Sequence, residues 1–165
     1  MRTNAPEGRG VLSRDQLIPG QRVFTDQYVS SAVGKNFNGR NGRQNANASF
    51  TGGTIFCDAA SSYISIKHQL GFTANETVCS LLAFEREAED AKVTVTGCNS
   101  DNGVHTAKEL TVKLQESKQT IRMSGVGAHH QNGPAENTIK NVTRRARIFM
   151  FHAALHWPEK FDKTL

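Results

Sequence analysis

Three carboxylates stand where predicted strands or helices begin or end, and together they could bind divalent metal ions. Asp26 lies on the first predicted strand, Asp101 directly follows the fourth, and Glu136 lies in the first turn of the last predicted helix. Carboxylate oxygens suit hard cations such as Mg²⁺, which keep several waters and complete their shell with substrate phosphates. Two such ions about 4 Å apart can activate an attacking oxygen and stabilise a leaving one in phosphoryl transfer. The three acids therefore suggest metal-dependent chemistry on a phosphodiester.

The alternative is that these acids are ordinary surface residues. The chain contains 15 Asp and Glu residues, so many triples of acids arise by chance. Most carboxylates lie on protein surfaces, where they are solvated. Spacing alone does not distinguish a metal site from a solvated surface, and the surrounding elements must decide between the two interpretations.

The periodicity of apolar residues predicts the elements that position the acids. Alternating patterns predict five strands, at 22–29, 54–58, 62–68, 92–98 and 120–123. Helical spacing predicts three helices, at 74–91, 106–116 and 134–156, and T-x-x-E capping boxes mark the start of the first two. This order of elements predicts an α/β domain with a mixed sheet covered by helices.

Composition divides the chain into a core and polar flanks. Residues 1–20 are polar and carry two prolines, which is typical of a linker or tail, and 159–165 form a second polar tail. We expect the fold to occupy 21–158. Within it, 34–53 is rich in glycine and asparagine and has no acidic residue, which predicts a mobile insertion carrying the cations Lys35, Arg40 and Arg43.

Length, charge and cysteine content narrow the class of protein. A chain of 165 residues fits one domain, since domains usually span about 100 to 200 residues. The net charge of +5 allows a polyanionic partner without requiring one. No run approaches the roughly 18 apolar residues of a membrane helix, and no hydrophobic signal peptide begins the chain, so we expect a soluble, unexported protein. The three cysteines match no C-x-x-C spacing and are expected to be free thiols.

Two segments resemble the signature blocks of the integrase catalytic core of retroviruses and copia-type retrotransposons. They are Ser100-Asp101-Asn102-Gly103 and the block HHQNGPAE, which ends at Glu136. The interval between Asp101 and Glu136 is one residue shorter than the interval typical of that family. The segment 55–63 resembles the second strand and turn of the family, where an Asp is frequent but is not a metal ligand. By this resemblance Asp26 is the first catalytic acid and Asp58 is not. The resemblance covers roughly 20–158.

The resemblance implies an RNase H-like fold, in which three antiparallel strands are followed by parallel additions to a five-stranded sheet flanked by helices. It also implies a core truncated after Pro158, where further helices would follow. The implied activity is DNA strand transfer, in which Asp26, Asp101 and Glu136 hold two Mg²⁺ or Mn²⁺ ions when substrate is bound. The implied partners are element-end and target DNA and further copies of the chain, and the implied location is the nucleus.

A row of cations on the last predicted helix supports a DNA partner independently. Lys140 and Arg144 follow Glu136 at spacings of four, and Arg147 continues the row. Such a row would bind phosphates without reading sequence. Other candidate DNA contacts are Lys35, Arg40, Arg43, His130 and Asn132. The alternative is an ordinary solvated helix face, which we prefer for Arg145, off the row, and for the pair His152 and His156.

The leading hypothesis is a metal-dependent integrase core that joins retroelement 3′ ends to target DNA. Two alternatives remain open. One is an RNase H-like nuclease on the same fold, against which the block ending in Glu136 argues. The other is an inactive, transposon-derived fragment that binds nucleic acid through its cations.

Overall fold

The computed structural model describes residues 16–34, 49–101, 108–123 and 132–159. Lys35, Arg40, Arg43 and His130 lie outside these ranges, as does Thr106 of the second capping box. The described residues form eight elements, which are β1 (Val23–Gly34), β2 (Phe50–Asp58), β3 (Ile64–Gln69), α1 (Ala74–Asp90), β4 (Gly97–Ser100), α2 (Lys108–Glu116), β5 (Thr120–Met123) and α3 (Gly133–His156).

The strands form one mixed sheet in the order β3-β2-β1-β4-β5. β1 and β2 pair antiparallel, as do β2 and β3, whereas β4 pairs parallel with both β1 and β5. This arrangement confirms the predicted fold class, three antiparallel strands followed by two parallel additions. No helix among the described residues is both long and apolar enough to cross a membrane.

The main core lies between the sheet and the α1–α2 layer. Val23 of β1 and Phe56 of β2 pack with Leu81 and Phe84 of α1, and the Phe56 and Phe84 rings stack with their centroids 4.6 Å apart. Because successive side chains of a strand point to opposite faces, Phe24 and Ile55 point away from this core. They are buried on the second face, where α3 contacts β1 and β2.

The α1 prediction is confirmed. Thr73 caps the helix, because its side chain accepts a hydrogen bond from the backbone N–H of Glu76. A threonine hydroxyl at this position satisfies an amide that has no partner within the helix. The T-x-x-E pattern therefore marks the helix start correctly.

The β4 prediction is wrong at its start, since the strand begins at Gly97 and not at Lys92. Lys92 has a left-handed backbone with φ of 60°, and the N–H of Val93 donates to the carbonyl of Ala88 at the end of α1. Residues 92–96 therefore connect α1 to the sheet. Val95 is nonetheless buried. The alternating pattern here reflects burial of apolar side chains and not pairing with another strand.

Other predicted boundaries also differ from the structure, among them the end of β1, which extends beyond the predicted 29 to Gly34. β2 begins at Phe50, inside the predicted insertion, and Gly52 lies so close to β1 that a Cβ there would be 2.1 Å from the carbonyl oxygen of Tyr28. Glycine is required for this close approach, which is why a glycine-rich segment can form a strand.

The predicted linker, 1–20, includes one residue of the fold. Gly20 donates its N–H to Asp58 Oδ1 at 2.9 Å and so belongs to the core.

The second half of α3 is not covered in the way the apolar periodicity predicts. Ala135 is fully buried, but Phe149 is 72% exposed. The other large apolar side chains exposed there are Ile148, Met150, Phe151, Leu155 and Trp157. The pattern correctly predicts the helix, but in the described structure only the first turns of that helix lie against the sheet.

Candidate active site

Asp26 and Asp101 directly follow the last rung of the parallel ladder between β1 and β4. The ladder pairs Val23 with Cys98 and, at its last rung, Thr25 with Ser100. Asp26 and Asp101 are the next residues on the two strands, so their backbones leave the ladder side by side. Neighbouring strands lie about 4.8 Å apart. The strand order therefore brings together two acids that are far apart in the sequence.

The start of α3 is tied to β1 beside Asp26. Asn132, the N-cap residue of α3, donates a hydrogen bond from Nδ2 to the carbonyl oxygen of Thr25 at 3.2 Å. Ala135 is fully buried against the sheet, and Glu136 follows it in the first helical turn. This anchor places the third acid near the end of the β1–β4 ladder, where its charge acts on Asp26.

Our assignment of Asn132 to DNA binding is wrong in the described structure, because the residue is only 1% exposed. A buried amide that donates to a strand carbonyl holds two elements together and is not accessible to DNA. Its type, Asn at the start of a predicted helix, is a capping signal. Nothing in the sequence indicates that its partner is Thr25.

The pKa of Asp26 reports that the three acids influence one another. Burial raises this pKa above its ordinary value, and the negative charges of Glu136 and Asp101 raise it further. The N–H of Gln27, which donates to Asp26 Oδ1 at 2.8 Å, acts in the opposite direction. The direction of this shift agrees with the hypothesis that neighbouring carboxylates raise one another's pKa, but burial is its largest cause.

The three carboxylates are not gathered into a ready-made metal cluster. Within the described ranges, no group of three His, Cys, Asp or Glu side chains is close enough to hold an ion. The donor set itself fits, because three carboxylates on a part-buried edge offer the oxygen ligands that hard cations require. Binding an ion with all three acids would need their side chains to move closer together.

The raised pKa of Asp26 predicts how stability changes with pH. In metal-free buffer the folded state binds the Asp26 proton more tightly than the unfolded chain does, so ionisation of Asp26 destabilises the fold as pH rises from about 4. Asp26→Asn removes this titration. Melting both proteins at about pH 4 and about pH 7 should show the variant gaining stability relative to the parent at the higher pH. A stability difference between the two proteins that does not change with pH would contradict the raised pKa.

Asp58 has a structural role. Its Oδ1 accepts from the N–H of Gly20, and its Oδ2 accepts from the N–H and the hydroxyl of Ser61 at 2.7 and 2.6 Å. These bonds close the β2–β3 turn and attach the segment before β1. A buried carboxylate with three donors organises the backbone, in agreement with the interpretation that Asp58 is not a metal ligand.

The cationic row lies on the surface of α3. Lys140, Arg144 and Arg147 are all exposed, and they line one groove along the helix together with Ile139 and Ile148. His152 and His156 are also exposed, with ring centroids 4.2 Å apart. The structure thus places the predicted cations on one surface of the helix that begins at the acids.

One contact near Asp26 has no sequence signal. Gln27 Nε2 donates to Thr77 Oγ1 at 3.0 Å and so attaches β1 to α1 one residue after the first acid. The polar side chain of Gln27 faces the helix layer, whereas Asp26 faces the opposite side of the sheet, where α3 begins. Because successive side chains of β1 point to opposite faces, the Gln27 contact and the candidate site at Asp26 lie on opposite sides of the sheet.

Comparison with solved structures shows what fold this is. The chain is similar to the HTLV-2 integrase catalytic core domain in complex with magnesium in its dimeric form, with a TM-score of 0.56 and 13% identity over 87% of this chain and 79% of that one. The trimeric form of the same complex gives a TM-score of 0.53 and 14% identity over 86% and 76%. The sequence matches no protein-family model and no curated protein. The chain therefore has the α/β fold of retroviral integrase catalytic cores.

Proposed function

We propose that this protein is a divalent-metal-dependent polynucleotidyl transferase that joins DNA 3′ ends to target DNA. One observation carries the proposal. The β1–β4 ladder sets Asp101 beside Asp26, and burial, together with the charges of Glu136 and Asp101, raises the pKa of Asp26. A carboxyl group whose pKa is perturbed by burial and nearby acids is a candidate functional group, and neighbouring carboxylates can hold the metal ions of phosphoryl transfer. The shared fold with an integrase core that is described as a magnesium complex supports the same function.

Asp26, Asp101 and Glu136 are the residues that would hold Mg²⁺ or Mn²⁺, two ions when substrate is bound. Such ions supply a stronger nucleophile and neutralise charge on the transferring phosphate. The contribution of the chain is to position the ligands. The β1–β4 ladder sets Asp26 beside Asp101, and the Asn132 anchor sets the start of α3. Because α3 begins at this anchor, Glu136 can adjust its side chain while its backbone stays in place.

The motif resemblance adds finer proposals. The segment at Asp101 and the block ending in Glu136 resemble copia-type elements, so we infer a retrotransposon origin. A DNA-joining activity would operate in the nucleus. Self-association fits the same function, since the neighbouring integrase core is described in dimeric and trimeric forms.

The cationic row should supply the electrostatic part of DNA affinity. Log affinity falls as log salt concentration rises, and each phosphate contact made by Lys or Arg steepens that fall by about 0.9. Lys140→Ala or Arg144→Ala should therefore weaken DNA binding at low salt and make the slope shallower by about one. Fluorescence anisotropy over a salt series measures both quantities.

Arg145→Ala is the matched control for the row. It removes the same charge from the same exposed helix, but Arg145 lies off the row. Its effect on the salt slope should be smaller than that of either row variant. Equal effects from all three variants would show that the helix acts only through its net charge.

The activity is tested by incubating the protein with oligonucleotides that carry element-like ends in Mg²⁺ or Mn²⁺. Joined products support the proposal, and EDTA should abolish them. Cleavage of RNA–DNA hybrids would instead indicate the nuclease, and binding without joining or metal dependence would indicate an inactive nucleic-acid-binding fragment. Millimolar Mg²⁺ should also raise the melting temperature, because an ion that binds only the folded state stabilises it.

A further inference from the structure

Three residues opposite one another in β1, β2 and β3 form a row on the sheet. Tyr28 pairs with Gly53, and Gly53 pairs with His68. Directly opposite residues point to the same face, so the Tyr28 and His68 side chains stand on one face, with no side chain between them. Tyr28 is two residues after Asp26 on β1, and alternation places both on this face.

The glycine lets the outer two side chains meet. The Tyr28 hydroxyl lies 2.8 Å from Nδ1 of His68, across the position of Gly53. A Cβ on Gly53 would lie 2.9 Å from that hydroxyl and 2.2 Å from the carbonyl oxygen of Lys67. Gly53 thus leaves the gap that the hydrogen bond crosses, and the bond holds the orientation of the His68 ring.

The orientation leaves a hydrogen-bond donor at the surface. When the Tyr28 hydroxyl donates to Nδ1 of His68, the ring tautomer has its proton on Nε2. His68 is exposed. An N–H on an exposed ring that a hydrogen bond orients suits an oxygen acceptor, of which the phosphate oxygens of DNA are the most abundant on the proposed substrate.

We propose that His68, oriented by Tyr28, donates a hydrogen bond from Nε2 to a DNA phosphate near the reacting one. His68 lies two strands from β1, on the face of the sheet that also carries Asp26. This inference rests on the proposed function, since it takes Asp26 as the position of the reacting phosphate. His68 is then a binding residue, and Tyr28 is a positioning residue.

The test measures DNA affinity with oligonucleotides in which single phosphates are replaced, one at a time, by neutral methylphosphonates. His68→Ala should weaken binding to unmodified DNA about two- to tenfold, the usual range for one hydrogen bond. At the phosphate that His68 contacts, the methylphosphonate should weaken DNA binding by the parent protein by a similar factor. The same methylphosphonate should not weaken DNA binding by His68→Ala any further. A merely structural role for His68 would lower affinity for every oligonucleotide equally and would overturn the inference.

Matched variants separate contact from folding. Tyr28→Phe removes only the hydroxyl and should reproduce part of the His68→Ala effect, at the same phosphate. Tyr63→Phe is its control, because the exposed Tyr63 directs its hydroxyl toward Glu87 of α1. His156→Ala, on the exposed end of α3, is the control for His68. Thermal melts identify any variant that loses affinity by unfolding.

The joining assay keeps the two proposals distinct. If the parent joins DNA but no methylphosphonate weakens the parent without weakening His68→Ala, His68 has no such contact and only the inference fails. If one methylphosphonate does so but no DNA is joined, the contact stands and the proposed activity fails. If the protein does not bind DNA, both proposals are rejected.

Discussion

Asp101→Asn is expected to lower DNA joining by more than about a hundredfold, since even residues that only orient a metal ligand contribute about 10- to 100-fold. The asparagine keeps the shape of the side chain but loses the negative charge that a divalent ion requires. The same change should leave the metal-free protein as stable as the parent or more stable, because it removes a charge that raises the pKa of Asp26. Joining kinetics and metal-free thermal melts measure the two effects.

Asp90→Asn is the matched control for Asp101→Asn. Asp90 is an exposed acid at the end of α1, away from the β1–β4 ladder, and its replacement should leave joining unchanged. If Asp101→Asn retains joining, Asp101 does not hold the ion. If it melts well below the parent without metal, the carboxylate supports the fold and the loss of activity has another cause.

Phe84→Ala is expected to lower the free energy of unfolding by about 3–5 kcal/mol, the range for removing a buried aromatic ring. Phe84 is 2% exposed and its ring stacks on Phe56 in the core between the sheet and α1. The alanine leaves a cavity that stiff neighbouring elements fill only in part. Urea unfolding followed by circular dichroism measures the change.

Phe149→Ala provides the comparison on α3. Its side chain is 72% exposed, so the same truncation should change stability by no more than about 0.5 kcal/mol. The difference between the two variants distinguishes a core position from an apolar position that the described structure leaves in solvent. A large loss on Phe149→Ala would show that this end of α3 is covered in solution.

Local patterns account for the elements, although Asp26 lies inside β1 and not at its end. The T-x-x-E box places the start of α1, because the cap is formed by residues three positions apart. Alternation correctly predicts burial of Val95 but not the start of β4, since burial and strand pairing produce the same pattern. Helical periodicity likewise predicts α3 without indicating that Phe149 stays exposed.

By itself the sequence determined the order of strands and helices, the candidate acids Asp26, Asp101 and Glu136, and the cations on α3, because these features depend on residues within a few positions of one another. Only the tertiary structure decided that β4 lies beside β1, which puts Asp101 next to Asp26. It also decided that Asn132 is a buried anchor and that Tyr28 meets His68 across a glycine. The physical reason is that strand order and register are set by packing of the whole sheet, and contacts between distant segments leave no local pattern.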